Sequence, residues 1–416
     1  MIATHTEEVL REILRFTGPA DVILSRYFRE NPRLGQRERG VIAEAIYSLL
    51  RNKSVFSNFS ESGVGAAMRR LALLGLADTV GVDALGGLSE EEASWLTRVM
   101  QCDRNTLPPQ LRANLPTWLY DKFVERYGQA DALELADALN QQATLDLRVN
   151  AMKKASRDEV FAELQTSGIE GEFTPYAPLG IRLKRKPALQ NMPLFKDGAI
   201  EVQDEGSQLL AQIVGARRGE MVVDFCAGAG GKTLALGAIM RNTGRLYAFD
   251  ISEKRLAKLK PRLARSGLSN VHPVVIAHEN DAKVKRLSGK IDRVLVDAPC
   301  SGLGTLRRNP DVKWRQTQQG VGELNAKQES ILAGAARLVK NGGRLIYATC
   351  SLLDEENEAI VEKFLAANSD FVLVPMKDVL SEQKIELEMQ DYLKLLPTKH
   401  QTDGFFAAVL ERKKPA

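Results

Sequence analysis

Residues 221 to 233 read MVVDFCAGAGGKT: a short apolar run ending in Asp224, a glycine-rich turn, and the opening of a new segment. An apolar strand that runs into a glycine turn and then a helical pattern is the first half of a βαβ unit. Reading outward, RLYAFD (245–250), HPVVIA (272–277), DRVLVDAP (292–299) and RLIYATCS (344–351) repeat the apolar run. Between them lie helix-like stretches such as TLALGAIMRN (233–242) and EKRLAKLKPRLARSG (253–267). Such alternation predicts an α/β section with a parallel sheet covered by helices, whose ligands bind where the strands end.

The glycine turn is not a nucleotide-triphosphate loop of the Walker type. That loop needs glycine five positions before its Gly-Lys pair, and here the position is Cys226. The dinucleotide fingerprint is imperfect as well, because Gly228 and Gly230 are followed by Thr233 where a third small residue belongs. A purely structural turn stays open on the loop alone. Its acidic surroundings sharpen the reading. Asp250 ends the second strand, where a carboxylate can accept both hydroxyls of an adenosine ribose; Asp281 follows the third, in reach of an adenine edge; Asp297 ends the fourth. Carboxylates at successive strand ends repel a polyphosphate but suit a neutral nucleoside carrying a sulfonium cation, so S-adenosylmethionine fits better than NAD or ATP.

The 416 residues exceed the roughly 250 to 300 at which single cores stop growing, so two or three domains are expected. An apolar fraction of 44% excludes a disordered or fibrous chain. Residues 1–104 are helical throughout: Val9, Leu10, Ile13 and Leu14, then Ile42, Ala45, Ile46, Leu49 and Leu50, keep helical spacing, and Gly86, Gly87 and Ser89 mark a stop and a new cap. NTLPPQL (105–111) cannot continue a helix and marks a boundary. Residues 105–195 mix short helices with the strand TLDLRVN and the extended pieces EFTPYAP and GIRLKRK, an α+β module; residues 196–416 hold the α/β section. No run approaches the roughly 18 apolar residues of a membrane span, and four cysteines without CxxC spacing suit a reducing compartment. The expectation is a cytoplasmic monomer with neither membrane nor metal partner. A net charge of +4 is mild, but IRLKRK (181–186), EKRLAKLKPRLAR (253–265) and TLRRNPDVKWR (305–315) concentrate cations and point to a polyanion such as RNA.

Two thiols end apolar strands, Cys300 in DAPCSG (297–302) and Cys350 in YATCS (347–351). Enzymes that methylate base amines place an aromatic where Cys300 stands, to stack the base. Cytosine C5 needs different chemistry: a thiolate adds to C6 and turns C5 into a nucleophile. Cys350, Cys300 and Asp297 are the groups the site offers for that scheme. Inert buried thiols, or a metal site with Cys226, are the competing readings. Cys350 is followed by Asp354, Glu355, Glu356 and Glu358, which are expected to begin a helix and point away from the thiol, leaving Lys232 and the sulfonium to supply positive charge.

CAGAGGKT (226–233), DAPCSG, RRNPDVKW (307–314) and YATCSLLDEEN (347–357), with EVQDEGSQLLAQIV (201–214) ahead of them, resemble the Sun-type (Fmu-like) RNA cytosine-5 methyltransferases. The resemblance implies a class I, Rossmann-like methyltransferase sheet of seven strands closing with an antiparallel hairpin, for which FVLVP and DGFFAAVLER are the candidates. An all-α NusB-like bundle and a small α+β module, both RNA-binding, would precede it. Cys350 would be the covalent nucleophile and Cys300 the group that helps release the methylated RNA. Asp297 would engage the base and the cofactor, and Lys232 would act near the base. Cys226, Ala227, Gly228, Ala229, Gly230, Gly231, Lys232, Asp250, Asp281 and Asp297 would line S-adenosylmethionine. The implied substrate is 16S ribosomal RNA or a small-subunit assembly particle, with Arg307, Arg308 and Trp314 holding phosphates or a base unless Trp314 is a core residue. Ala229 stands where the family carries proline, which puts loop rigidity in question. An RNA-binding assembly or antitermination factor without turnover, and a DNA cytosine-5 methyltransferase using Cys300 as nucleophile, are the alternatives.

Overall fold

The computed structural model describes residues 2–415, which fall into two compact units. One holds residues 1–142 and 305–318, the other 143–304 and 319–416.

The first unit is helical. Helices α1 (Ile2–Ile13), α2 (Ala20–Glu30), α3 (Gln36–Arg51), α4 (Lys53–Ser60), α5 (Ala67–Val80) and α6 (Glu90–Met100) each turn one apolar stripe inward. Thr6, Val9, Leu10 and Ile13 of α1, and Ile42, Ala45, Ile46, Leu49 and Leu50 of α3, are buried at the spacing of a helix face. Gly75 lets α5 approach α3 closely, since a Cβ there would lie 2.5 Å from the Ala45 carbonyl oxygen. Ser89 caps α6 and Glu92 closes the capping box, as the sequence indicates.

Two features of this unit depart from the three sections read in sequence. Residues 105–142 group with the bundle: the Val55 amide donates to Asn114 at 3.2 Å, and Asn140 donates to the Ala113 carbonyl at 3.0 Å. Residues 305–318 group with it as well. Trp314 Nε1 donates to the Leu50 carbonyl at 2.7 Å, and the fully buried Lys313 ammonium donates to the Arg51 carbonyl at 3.0 Å and to Asn140 at 2.6 Å. Of the two roles open to Trp314, the structure shows the packing one.

The second unit contains two sheets. The smaller is antiparallel, in the order β2-β3-β1-β4, from β1 (Leu145–Val149), β2 (Gly171–Phe173), β3 (Gly180–Leu183) and β4 (Ile200–Val202). Its core gathers Leu147, Val149, Val160, Leu164, Ile181 and Ile200. The three-residue β4 lies in the section read as the start of the larger sheet, yet it pairs with β1.

The larger sheet runs β10-β12-β9-β8-β5-β6-β7. Its strands are β5 (Met221–Asp224), β6 (Arg245–Asp250), β7 (Val271–Val275), β8 (Ile291–Asp297), β9 (Val339–Thr349), β10 (Phe371–Val374) and β12 (Phe405–Arg412). All pairings from β9 to β7 are parallel, and β12 runs antiparallel between β9 and β10. An eighth strand, β11 (Leu393–Leu395), pairs with β12 off this path, so the sheet has one strand more than the seven expected. The chain moves outward from β5 to β6 and β7, then returns to β8 on the other side of β5. That reversal opens a crevice above the carboxyl ends of β5 and β8, which carry the glycine turn and Asp297.

Candidate active site

β5 ends at Asp224 and the helix Gly231–Ile239 begins seven residues later, so the turn between them must be tight. Gly230 makes it so: its φ of 82° is left-handed, and a Cβ would lie 2.2 Å from Leu259 Cδ1. Gly228 is also left-handed, but nothing lies within 4 Å of its missing Cβ, so the turn presents bare backbone to open space there. A nucleoside or its sulfur substituent can therefore approach the main chain. Two arginines hold the turn. Arg262 donates to the Ala229 carbonyl at 2.7 Å, and buried Arg148 donates to the Gly231 carbonyl at 2.9 Å. Burial pushes the Arg148 guanidinium down to about 10, with Glu201 opposing. These bonds supply rigidity that Ala229 lacks as a residue.

Asp224 lies beneath the turn, 1% exposed, and accepts from Thr233 Oγ1 at 2.6 Å; its other oxygen has no partner among the described residues. Burial pushes its carboxyl up to about 7, against the Thr233 hydrogen bond, with Asp297 adding to the rise. Asp250 is equally buried but well supplied. Its Oδ2 accepts from the Gly228 amide at 2.8 Å, and its Oδ1 accepts from the Ser252 amide at 2.7 Å and Arg255 at 3.0 Å. Asp281 accepts from the Ala277 and Lys283 amides, both at 2.8 Å, capping the turn Ala282–Lys285; those two backbone bonds hold its carboxyl below the usual range.

Asp297 meets Lys232, whose Nζ donates to Oδ2 at 2.7 Å. Burial disfavours the ammonium, but the charge and hydrogen bond of Asp297 outweigh it and raise the lysine. Cys226 on the turn is pushed well up by burial and by Asp297, Asp224 and Asp250, which makes it an unreactive thiol. Among the described residues, no group of three or more His, Cys, Asp or Glu side chains is arranged to hold a metal.

The two remaining thiols stand face to face. Cys300 Sγ and Cys350 Sγ are 3.4 Å apart, both free. The approach needs glycine at 304: its amide donates to the Cys350 carbonyl at 2.8 Å, its carbonyl accepts from the Gly404 amide at 2.8 Å, and a Cβ would collide with Gly404 at 2.1 Å. The hydrogen bond with Cys350, burial and the nearby Glu356 carboxylate push the Cys300 thiol well up.

Glu356 corrects an expectation. Asp354–Glu356 forms a single 3-10 turn and the helix starts only at Glu358, so Glu356 turns inward and is fully buried. Its Oε1 accepts from the Ser301 amide at 2.8 Å and from Gln328 at 3.0 Å, and its Oε2 from Ser301 Oγ at 2.5 Å and from Ser351 Oγ. Nothing local in the sequence singles out Glu356, Arg148 or Arg262, whereas a Cys-Ser pair in both motifs marks Ser301 and Ser351. The basic runs are only partly available to a polyanion. Arg182 is buried against Asp146 at 2.9 Å, Arg262 and Arg265 pair with Glu201, and Lys313 and Arg307 are buried.

Comparison with known proteins follows the same lines. The family described as 16S rRNA methyltransferase RsmB/F matches residues 211–411, and a ferredoxin-like domain described for RsmF/B-like methyltransferases matches residues 115–190. A Synechocystis protein named "Probable ribosomal RNA small subunit methyltransferase B" is 32% identical, over 97% of this chain and 98% of its own length. The crystal structure of PH0851 superposes with a TM-score of 0.79 at 26% identity, covering 99% of this chain and 98% of that one. A methyltransferase homolog from Pyrococcus horikoshii gives 0.63 at 28% identity, over 75% of this chain and all of its own.

Proposed function

The chain belongs to the RsmB/F family of 16S rRNA methyltransferases, and from that premise we propose that it methylates C5 of a cytosine in small-subunit ribosomal RNA through a covalent bond between Cys350 and C6 of the base. S-adenosylmethionine is the methyl donor and, when bound, supplies the methyl group to C5 as an electrophile. The chemistry of the site supports it: bare backbone at Gly228 and the carboxylates of Asp250 and Asp281 suit a neutral nucleoside, and Asp297 suits a nearby cation.

The observation that carries the proposal is the thiol pair at 3.4 Å, at the ends of two adjacent strands, with Lys232 and Asp297 beside it. An amine methyltransferase has no use for either thiol. In the covalent scheme, addition forms the bond from Cys350 Sγ to C6 and moves the C5–C6 electron pair to C5. Asp297 accepts from the cytosine edge, and the Lys232 ammonium offsets the negative charge that develops on the ring. After methylation the C5 proton goes to a base, the double bond re-forms, and the electron pair returns to Cys350 Sγ. Cys300, already within hydrogen-bonding distance, stabilises the departing sulfur.

Two variants test the order of the thiols. Cys350→Ala is expected to abolish methyl transfer while leaving RNA binding, and Cys300→Ala to accumulate an RNA adduct that survives denaturing electrophoresis. Turnover retained without Cys350, together with no adduct in Cys300→Ala, would overturn the assignment.

A further inference from the structure

Each motif cysteine is followed by a serine, and both serines reach the same buried carboxylate. Ser301 gives Glu356 its amide and its hydroxyl, Ser351 gives its hydroxyl, and the two hydroxyls lie 3.2 Å apart. The Cys350 loop is held further from Asn357, which donates to the Ser351 carbonyl at 3.1 Å and accepts from Thr349 Oγ1. Tyr347 on β9 donates to the Glu356 backbone carbonyl at 2.6 Å, fixing the turn that presents the side chain. Gln328 ties Glu356 to the Pro299 carbonyl, just before Cys300. Four donors converging on two oxygens suit an anion, and all four are neutral, so the charge stays uncancelled inside the protein.

We propose that Glu356 is a positioning residue of this reaction: acting through Ser301 and Ser351, it locks the two cysteine loops in register and orients Cys300 as the donor in its contact with Cys350. The proposal rests on the covalent reading above for its bearing on turnover, but the state of the thiol pair can be measured without RNA.

The electrostatics run the same way as the geometry. The Cys350 contact, burial and Glu356 together raise the Cys300 thiol, while Lys232, held as an ammonium by Asp297, has Cys350 among the groups it faces. An anion therefore lies on the Cys300 side of the pair and a cation on the Cys350 side. With Cys300 as the donor in the 3.4 Å contact, its hydrogen points at the Cys350 sulfur. A thiol held in that way can donate its hydrogen bond to the sulfur as the bond to C6 breaks, without first having to rotate.

The test uses the full chain and limiting iodoacetamide, with the label on each cysteine quantified by mass spectrometry and exposed Cys102 as internal reference. In the native protein Cys350 is expected to label ahead of Cys300. Glu356→Gln keeps the shape but removes the charge, and the ratio of Cys300 to Cys350 labelling should rise. Glu356→Asp keeps the charge but is one methylene short of the serines; it should lower kcat with KM for RNA little changed, and leave the labelling ratio near native. The double variant Ser301→Ala, Ser351→Ala keeps Glu356 itself and should lower kcat in the same manner. An unchanged labelling ratio in Glu356→Gln overturns the proposal. So does native kcat in the serine double variant, which decides the matter should Glu356→Gln fail to fold. Failure of the covalent reading registers separately, as turnover in Cys350→Ala.

Discussion

Asp224→Asn should make the protein progressively more stable relative to native as the pH rises from 4 to 7. Asp224 is buried below the glycine turn with one oxygen unpartnered, and its carboxyl rises from 3.8 to about 7 on folding. Below pH 3.8 the group is protonated in both states and contributes no difference. Between 3.8 and 7 the unfolded chain ionises while the folded chain does not, so native stability is lost at up to ~1.4 kcal/mol per pH unit. Above 7 both states are ionised and a constant penalty of ~4 kcal/mol remains. Asparagine keeps an oxygen for the Thr233 hydroxyl and cannot ionise, so it escapes this penalty but leaves its amide hydrogens without acceptors, a cost independent of pH.

The difference between the two proteins isolates the group, because the other titrating residues are common to both. The assay must report on the sheet unit. All three tryptophans, Trp95, Trp118 and Trp314, belong to the helical unit, so intrinsic fluorescence would follow the wrong part of the chain. Urea titrations read by hydrogen exchange at the β5 and β8 amides, between pH 4 and 8, give the required curve. A stability difference that stays flat across this range, or that moves in favour of the native protein as pH rises, refutes the reasoning.

Other substitutions probe separate parts of the site. Asp250→Ala removes a carboxylate expected to accept both ribose hydroxyls and should weaken cofactor binding roughly 10- to 100-fold, measured by calorimetry; an unchanged affinity would remove Asp250 from the binding set. Gly230→Ala forces an L side chain into the left-handed region against Leu259 and should cost at least about 1–2 kcal/mol, seen as a lower urea midpoint and weaker cofactor binding; native values would show that the turn relaxes freely. Arg262→Ala strips the Ala229 carbonyl of its donor and breaks one pair with Glu201, a loss of about 1.5–3 kcal/mol, and should speed hydrogen exchange in residues 226–232; native exchange there would mean that Arg148 alone holds the turn.

What could be read from sequence followed from local rules. The strand, turn and helix of 221–239 declare themselves by an apolar run and a glycine whose left-handed φ no neighbour could supply. Parallel-sheet geometry then puts Asp250 and Asp297 at strand ends on the ligand side without further information. What could not be read depended on partners distant in sequence. β4 and β11 have three residues each and no periodicity to betray them; β4 exists because β1 lies beside it. Lys313 looks like a solvated cation in a basic run, and nothing local states that an asparagine carbonyl oxygen 173 residues away will accept its hydrogen bond. The run Asp354, Glu355, Glu356 looks uniform, yet one turn of 3-10 geometry sends its third member into the core.

The arrangement of charge explains why a polyanionic substrate and a cationic donor can share one site. Asp224, Asp250 and Asp297 surround the glycine turn, and Lys232, which lies among them, is already committed to Asp297. This cup attracts a sulfonium and offers little to a phosphodiester chain, whose charge would meet the carboxylates of Asp250 and Asp297. RNA phosphates must therefore find cations elsewhere on this unit. Lys254, Lys258 and Lys260 of the helix Glu253–Ser266, and Arg185 beyond β3, are exposed, whereas Arg182, Arg262 and Arg265 are spent on carboxylates. Binding of the strand then draws on exposed cations screened by salt. Raising the ionic strength should therefore increase KM for RNA steeply and leave the cofactor affinity nearly unchanged; parallel losses in both would show that the same charges serve the two ligands.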